Sequence, residues 1–127
     1  MKFYTRKLIK PDSLNNNNTL FGGALLSWID EEASIYAMTK LETQHVVTKF
    51  MSEIDFVSSA SQGDIIEIGL RFHSIGRTSI TFQCEVRNIV TKKTIITIDK
   101  IVFVKVNEME KPVPHNKSIE DIKATSK

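Results

Sequence analysis

The feature that most constrains the fold of this chain is one long helical segment followed only by β segments. From Gly23 to about Leu41 the sequence contains no Pro and no internal Gly, and apolar residues recur at steps of three and four. This spacing places on one helix face Leu26, Ile29, Ala33, Tyr36 and Ala37. The segment therefore predicts an amphipathic helix, the only long one in the chain.

The rest of the chain alternates between β-type segments and turns. Phe3 to Ile9 predicts a strand before the helix, and Val46 to Val57 predicts one after it. Two alternating segments and a final apolar one, separated by turn residues, predict three more strands: Ile66 to Phe72, Ile80 to Val86 and Ile95 to Val106. The order predicts the α+β class, with a curved antiparallel sheet of about five strands wrapped round one long central helix.

The last strand has a further property. Its residues Ile101 to Val104 are consecutive and apolar, so the strand has no polar face. Such a strand is buried on both sides, by a further layer or by a partner subunit.

Length and charge narrow the class of protein. The chain has 127 residues, which suit one domain over residues 1–114 with a solvated tail over residues 115–127 and a short helix near Ser118 to Lys123. A net charge of +2 is too small to indicate nucleic-acid binding, and no apolar run is long enough to span a membrane. No secretory signal is recognisable, and the single Cys84 lies in an apolar alternation typical of a buried thiol. We therefore expect a cytoplasmic protein.

Asp30 is the candidate catalytic residue. It lies one position after Ile29, at the border of the apolar helix face, where an unpartnered carboxylate is costly. A carboxylate at such a place either serves as a general base or is held by a structural hydrogen bond. Gly22 and Gly23 precede it at the helix start, where unpaired amides can bind a phosphate or polarise a carbonyl.

Other chemistries find little support in the sequence. No set of His, Cys and carboxylate residues has metal-ligand spacing, so no metal site and no cofactor are predicted. A serine-nucleophile elbow is absent, and His45, His73 and His115 each look structural or exposed.

An ordered set of motifs resembles one family. Pro11-Asp12-x-x-Asn15, Phe21-Gly22-Gly23 and Leu26-x-x-Ile29-Asp30-x-x-Ala33 resemble the hotdog-fold acyl-CoA thioesterases of the bacterial small acyl-CoA hydrolase and brain-type branch. The same order continues with Val46-Val47-Thr48, Ile54-Asp55-Phe56, Gly63-Asp64, Gly76-Arg77-Thr78-Ser79, Phe103-Val104-x-Val106 and Lys111-Pro112-x-Pro114. The resemblance covers residues 8 to 114, with Asn18 and Ser58-Ser59-Ala60 departing from the family pattern.

The resemblance implies a function and its residues. It implies hydrolysis of acyl-CoA to fatty acid and CoA, with Asp30 as general base, Asn15 orienting water and the amides around Gly23 polarising the carbonyl. Asn17 is the substitute if the register slips within the asparagine run Asn15 to Asn18. Arg77 is the candidate for the CoA phosphates, and the complete substrate-binding set is Phe21, Gly22, Asn17, Thr48, Gly76, Arg77, Thr78, Ser79 and Lys111.

The resemblance also implies an assembly. Two subunits would join their sheets edge to edge, three such dimers would form a homohexamer, and each active site would lie between subunits. No nucleic acid and no membrane is expected as a partner.

Three alternatives stay open. A non-catalytic acyl-CoA-binding module would keep the Gly pair and Arg77 but would not need Asp30. A hotdog dehydratase or hydratase usually uses a His near the helix, and none lies between residues 10 and 44. Asp30 could also attack the thioester itself, forming an anhydride.

Overall fold

The computed structural model of the chain describes residues 1–125. Its elements are β1 (Lys2–Leu8), a 3-10 turn (Pro11–Ser13), α1 (Gly22–Leu41), β2 (Val46–Phe56), β3 (Ile65–Ile75), β4 (Ser79–Asn88), β5 (Thr94–Lys105) and α2 (Ile119–Ala124). The predicted order of strand, helix and four strands is confirmed. Within this described part, no helix combines the length and apolar character needed to cross a membrane.

The five strands form one antiparallel sheet in the order β1-β3-β4-β5-β2. Each of the four strand pairs contains a register shift, and such bulges bend a sheet and increase its twist. The sheet therefore curves round α1, as the sequence predicted.

Small residues let the sheet approach the helix. Ala33 and Ala37 are 0% exposed, and so is Ile29 one turn earlier. The predicted helix face is confirmed at these positions, whereas Leu26 and Tyr36 are only half-buried. Leu25 is buried instead of Leu26, because the sheet covers the helix face on which residues recur every four positions, from Leu25 through Ile29 to Leu41.

The final strand is buried on both faces, as predicted. The four residues from Ile101 to Val104 are between 0% and 7% exposed. β5 lies between β4 and β2 in the sheet, so its backbone is paired along both edges.

β2 lies at one edge of the sheet, and within residues 1–125 its one strand partner is β5. It exposes large apolar side chains, which are between 36% and 53% accessible: Val47, Phe50, Ile54 and Phe56. An unpaired edge with exposed apolar side chains is a ready site for pairing with another strand.

The C-terminal segment differs in part from the predicted solvated tail. His115 is 5% exposed and Ile122 is 0% exposed, and Ile122 belongs to the main core. The predicted short helix is present as α2, which Ser118 and Asp121 cap reciprocally. Lys40 of α1 donates from Nζ to the carbonyl oxygens of Ile122 and Thr125 at 3.1 and 2.9 Å, which anchors this segment to α1. The last two residues of the predicted tail lie outside the described residues.

Candidate active site

Asp30 lies in the middle of α1 and is half-buried. Its Oδ1 accepts a hydrogen bond of 2.6 Å from Thr48 Oγ1, a residue of the edge strand β2. The bond fixes the carboxylate against the strand and leaves Oδ2 as the oxygen that can accept another proton donor. Thr48, predicted to bind substrate, therefore directly contacts the predicted base.

Asn15 lies in the loop before α1, where its side chain organises the backbone. Its Oδ1 accepts hydrogen bonds from the Asn17 amide at 2.9 Å, the Thr19 amide at 3.1 Å and Thr19 Oγ1 at 3.2 Å. Because backbone amides only donate, the atom facing them is the carboxamide oxygen. Asn15 can therefore bind a ligand through the N–H donors of Nδ2. Asn17 is exposed, and it takes part in these hydrogen bonds through its backbone amide, which donates to Asn15 Oδ1.

A cavity of about 360 Å³ opens beside this loop. Its polar lining comes from Asn15, Ser58, Ser59 and the backbone of Gly22, and Phe56 closes one side. A Cβ on Gly22 would lie 3.2 Å from the Phe56 ring, so glycine keeps this side of the cavity open.

The start of α1 presents unpaired amides next to that cavity. Phe21 is the N-cap residue and makes no side-chain capping bond, and the first helical bond runs from the Leu25 amide to the Phe21 carbonyl at 3.1 Å. The amides before Leu25 have no acceptor within the helix. Phe21 itself is 57% exposed and its ring covers Gly23, where a Cβ would lie 3.3 Å away.

Four of the predicted substrate-binding residues, Gly76 to Ser79, form a tight turn between β3 and β4. The Gly76 amide donates to the Ser79 carbonyl at 3.0 Å, and a Cβ on Gly76 would lie only 2.6 Å from Ser79 Oγ. Arg77 at the tip is exposed, and Thr78 lines a shallow groove of about 190 Å³ on the sheet together with Lys49. Lys111 is exposed in a separate turn, where its amide donates to Asn107 Oδ1 at 3.0 Å.

The described chain brings together only some of the predicted residues. Asp30 contacts Thr48, and Asn15 shares a cavity with Gly22, but Asp30 does not line that cavity. In the monomer, Asp30 is thus held against β2, whereas Asn15 lies beside the cavity at the start of α1.

Sequence reasoning missed three contributors to these sites. Phe56 closes the cavity, Ser58 lines it while donating to the Thr94 carbonyl at 2.6 Å, and His115 contacts the backbone of the Gly76–Ser79 turn. For Ser58, the departure from the family's usual residues was a signal in the sequence that could have identified it. No such signal marked His115, because its contact with the turn is formed by the tertiary fold.

Metal chemistry has no ready donor set in the described residues. Among residues 1–125, no group of three or more His, Cys, Asp or Glu side chains is placed to hold a metal ion.

The curved antiparallel sheet round one long helix defines a hotdog-fold protein. The sequence model of the thioesterase superfamily matches residues 17–95 of the chain. The chain belongs to the thioesterase superfamily.

Individual relatives agree with this assignment. An uncharacterized acyl-CoA thioester hydrolase of Bacillus subtilis strain 168 is 33% identical over 107 residues, which make up 82% of this chain and 62% of that protein. The chain spans between 52% and 62% of the lengths of the curated relatives that it matches.

Two solved structures are similar over most of the chain. A hexameric thioesterase from Yersinia pestis is 26% identical with a TM-score of 0.83, covering 92% of this chain and 97% of that one. An acyl-CoA hydrolase from Staphylococcus aureus, solved in complex with butyryl coenzyme A, coenzyme A and coenzyme A disulfide, is 27% identical with a TM-score of 0.77, covering 87% and 66% of the respective chains.

Proposed function

We propose that this chain hydrolyses acyl-CoA thioesters to a carboxylic acid and CoA, with Asp30 as the general base. The observation that carries the proposal is the position of the Asp30 carboxylate. Asp30 lies on the central helix α1, and Thr48 of β2 holds one of its carboxylate oxygens by a hydrogen bond. Relatives named acyl-CoA thioester hydrolases, and the S. aureus structure with butyryl coenzyme A, support the substrate class.

The reaction requires activation of a water molecule, stabilisation of the carbonyl oxygen and release of the thiolate. Asp30 Oδ2 accepts a proton from water while the water oxygen bonds to the thioester carbonyl carbon. The carbonyl oxygen becomes an oxyanion, which the unpaired amides around Gly23 stabilise; one such donor contributes about 3 to 4 kcal/mol. The intermediate then releases the CoA thiolate, which takes the proton from Asp30. A thiol with a pKa of about 8.5 needs no strong general acid to leave.

Asn15 acts as a hydrogen-bond donor in this scheme. Its Oδ1 is occupied by three donors of its own loop, so only Nδ2 can contact a reacting group. The Nδ2 group donates to the oxygen of the attacking water and leaves the water's hydrogens directed toward Asp30.

The S. aureus relative supports the choice of Asn15 rather than Asn17. That enzyme was also solved with one aspartate replaced by alanine and, separately, with one asparagine replaced by alanine. The two replaced positions lie fifteen residues apart, and Asn15 and Asp30 have the same separation.

The nucleotide end of CoA would lie at the Gly76–Ser79 turn. Arg77 is exposed at the tip of this turn, and its guanidinium can donate to two phosphate oxygens at once. Lys111 is the second cation of the proposed site, in the turn after β5.

The proposed enzyme is an oligomer with shared active sites. The exposed apolar edge of β2 is suited to pair with the same edge of a second subunit, and the Yersinia relative is hexameric. We propose a trimer of such dimers, in which Asn15 of one subunit approaches Asp30 of the next.

We also propose a cytoplasmic location. Cys84 is a buried free thiol within the core, which suits a reducing compartment.

Asp30→Asn tests the proposal, since it keeps the shape of the side chain and its bond from Thr48 but removes the base. We expect thiol release from short, medium and long acyl-CoAs to fall by at least about 10²-fold, with calorimetric CoA affinity unchanged. Glu31→Gln, an exposed neighbour on the same helix, is the matched control and should retain activity.

Three outcomes separate the alternatives. Full activity in Asp30→Asn contradicts the general base. A wild-type chain that binds CoA but releases no thiol favours the binding module. In a single turnover in ¹⁸O-labelled water, label incorporated into Asp30 indicates attack by the carboxylate, because the general-base route never forms a bond between Asp30 and the water oxygen.

A further inference from the structure

We propose that His115 is a positioning residue for the Gly76–Ser79 turn, so that binding of the CoA phosphates depends on the C-terminal segment. This inference rests on the proposed function, because it assigns a role to the turn that would hold the nucleotide. His115 itself does not touch the substrate; it acts through the backbone that carries Arg77.

Three carbonyls of this turn, those of Arg77, Thr78 and Ser79, accept hydrogen bonds from the protein. The Arg77 carbonyl accepts from the His115 amide at 3.2 Å, and the Thr78 carbonyl accepts from the Lys105 amide at 2.9 Å. The Ser79 carbonyl accepts from the Gly76 amide and also from His115 Nε2, each at 3.0 Å. Among the residues that the structure describes, His115 thus contributes two of these four bonds and contacts two carbonyls of the turn.

The hydrogen bonds of the imidazole define its tautomer. Nδ1 lies 3.0 Å from the Lys117 amide, which only donates, so Nδ1 is the unprotonated acceptor. Nε2 lies next to the Ser79 carbonyl, which only accepts, so Nε2 carries the hydrogen. A neutral, Nε2-protonated histidine satisfies both contacts, and its side chain is almost completely enclosed at 5% residue exposure.

The segment that carries His115 is itself attached to α1. Lys117 forms an ion pair with Glu42, directly after the end of α1, and Lys40 near the end of α1 holds the carbonyls of Ile122 and Thr125. The Gly76–Ser79 turn is therefore tied through the C-terminal segment to the helix that carries Asp30.

The consequence concerns the substrate's phosphates. Arg77 is a long, exposed side chain, and its guanidinium gains binding energy only if the backbone beneath it is already in place. Losing the His115 contacts would let the turn move, which weakens binding of the nucleotide and leaves the distant Asp30–Thr48 pair intact.

The test compares two thioesters that share an acyl group: an acyl-CoA and the corresponding N-acetylcysteamine thioester, which has no phosphates. In His115→Leu we expect KM for the acyl-CoA to rise about tenfold, as for the loss of a buried hydrogen bond. We expect kcat for the acyl-CoA and both constants for the truncated thioester to stay within about twofold of wild type. His115→Gln should restore the low KM, because its amide nitrogen can donate to the Ser79 carbonyl in place of Nε2.

A double-variant comparison identifies the route of the effect. In an Arg77→Gln background, His115→Leu should raise KM no further, since the turn has then lost the group that His115 positions. Equal losses on both thioesters, additive effects with Arg77→Gln, or an unchanged KM in His115→Leu would each overturn the proposal.

Failure of the proposed function is recognised separately. If the wild-type chain hydrolyses neither thioester, the proposed hydrolytic function is wrong. Calorimetric titration then still measures the affinity for CoA, which tests whether His115 positions the turn. A CoA affinity that falls about tenfold in His115→Leu but not in His115→Gln then supports the positioning role, and equal affinities overturn it.

Discussion

Thr48 Oγ1 donates a hydrogen bond of 2.6 Å to Asp30 Oδ1, which joins the edge strand β2 to the central helix α1. β2 is also the strand with exposed apolar side chains at the unpaired edge of the sheet. The group that fixes the proposed base thus lies on the strand proposed to pair with a second subunit. Assembly and the geometry of the base are thereby connected through one strand.

Thr48→Val removes this hydroxyl with little change in volume. Hydrogen bonds to charged groups contribute about 1.5 to 3 kcal/mol, so we expect kcat for acyl-CoA to fall by about 10- to 100-fold. Thr48→Ser keeps the hydroxyl and should stay within a few-fold of wild type. Thiol-release kinetics measure both variants, and equal rates in Thr48→Val and wild type would show that this bond does not orient the base.

Lys40→Met should loosen the C-terminal segment without unfolding the domain. The substitution removes the donor to the Ile122 and Thr125 carbonyls but keeps an apolar chain of similar length. We expect faster amide hydrogen exchange in α2, while exchange in β3 to β5 is unchanged. Lys123→Met, an exposed lysine on α2, is the control. Unaltered protection of α2 in Lys40→Met would mean that burial of Ile122 is sufficient to hold the segment.

Cys84 gives a prediction for alkaline pH. Burial, with a smaller contribution from Glu85, raises the pKa of Cys84 from its ordinary 9.0 to about 12. The folded state therefore keeps the neutral thiol where the unfolded chain would ionise. Its contribution to stability is complete below pH 9.0 and is lost as pH rises toward 12.

Denaturant titrations at several pH values should show this loss in wild type and less of it in Cys84→Ala, once the lower starting stability of that variant is subtracted. A disulfide reagent at pH 8 should label Cys84 only as fast as the protein opens. Immediate labelling in native conditions would contradict the burial of the thiol.

The elements of this fold were predictable because their signals are local. The helical spacing from Gly23 to Leu41 and the alternation around Phe82 and Cys84 are set by residues a few positions apart, and the structure confirms both. The buried final strand was predictable for the same reason, since its apolar run is continuous.

The contacts within the site were not predictable in the same way. Thr48 is 18 positions from Asp30, and His115 is 36 positions from Ser79, so neither pair leaves a periodic signal in the sequence. The donors that occupy Asn15 Oδ1 depend on how the loop folds back at Thr19, which composition does not determine. The sequence did not indicate a contact between His115 and this turn, because the C-terminal segment is buried by tertiary packing.

A mixing experiment tests whether two subunits complete each site. Asn15→Asp keeps the oxygen that holds the loop but replaces the Nδ2 donors with an oxygen, so this variant should fold and lose activity. Asp30→Asn should lose activity for a different reason, the loss of the base. If Asn15 and Asp30 of one site come from different subunits, some mixed sites receive neither substitution. In an equal random mixture, about one quarter of all sites combine an intact Asn15 with an intact Asp30, whether the assembly is a dimer or a hexamer. Co-expression, or refolding of an equimolar mixture, should therefore restore about a quarter of wild-type thiol release. A site built within one subunit would give no recovery, because every subunit in the mixture carries one of the two substitutions.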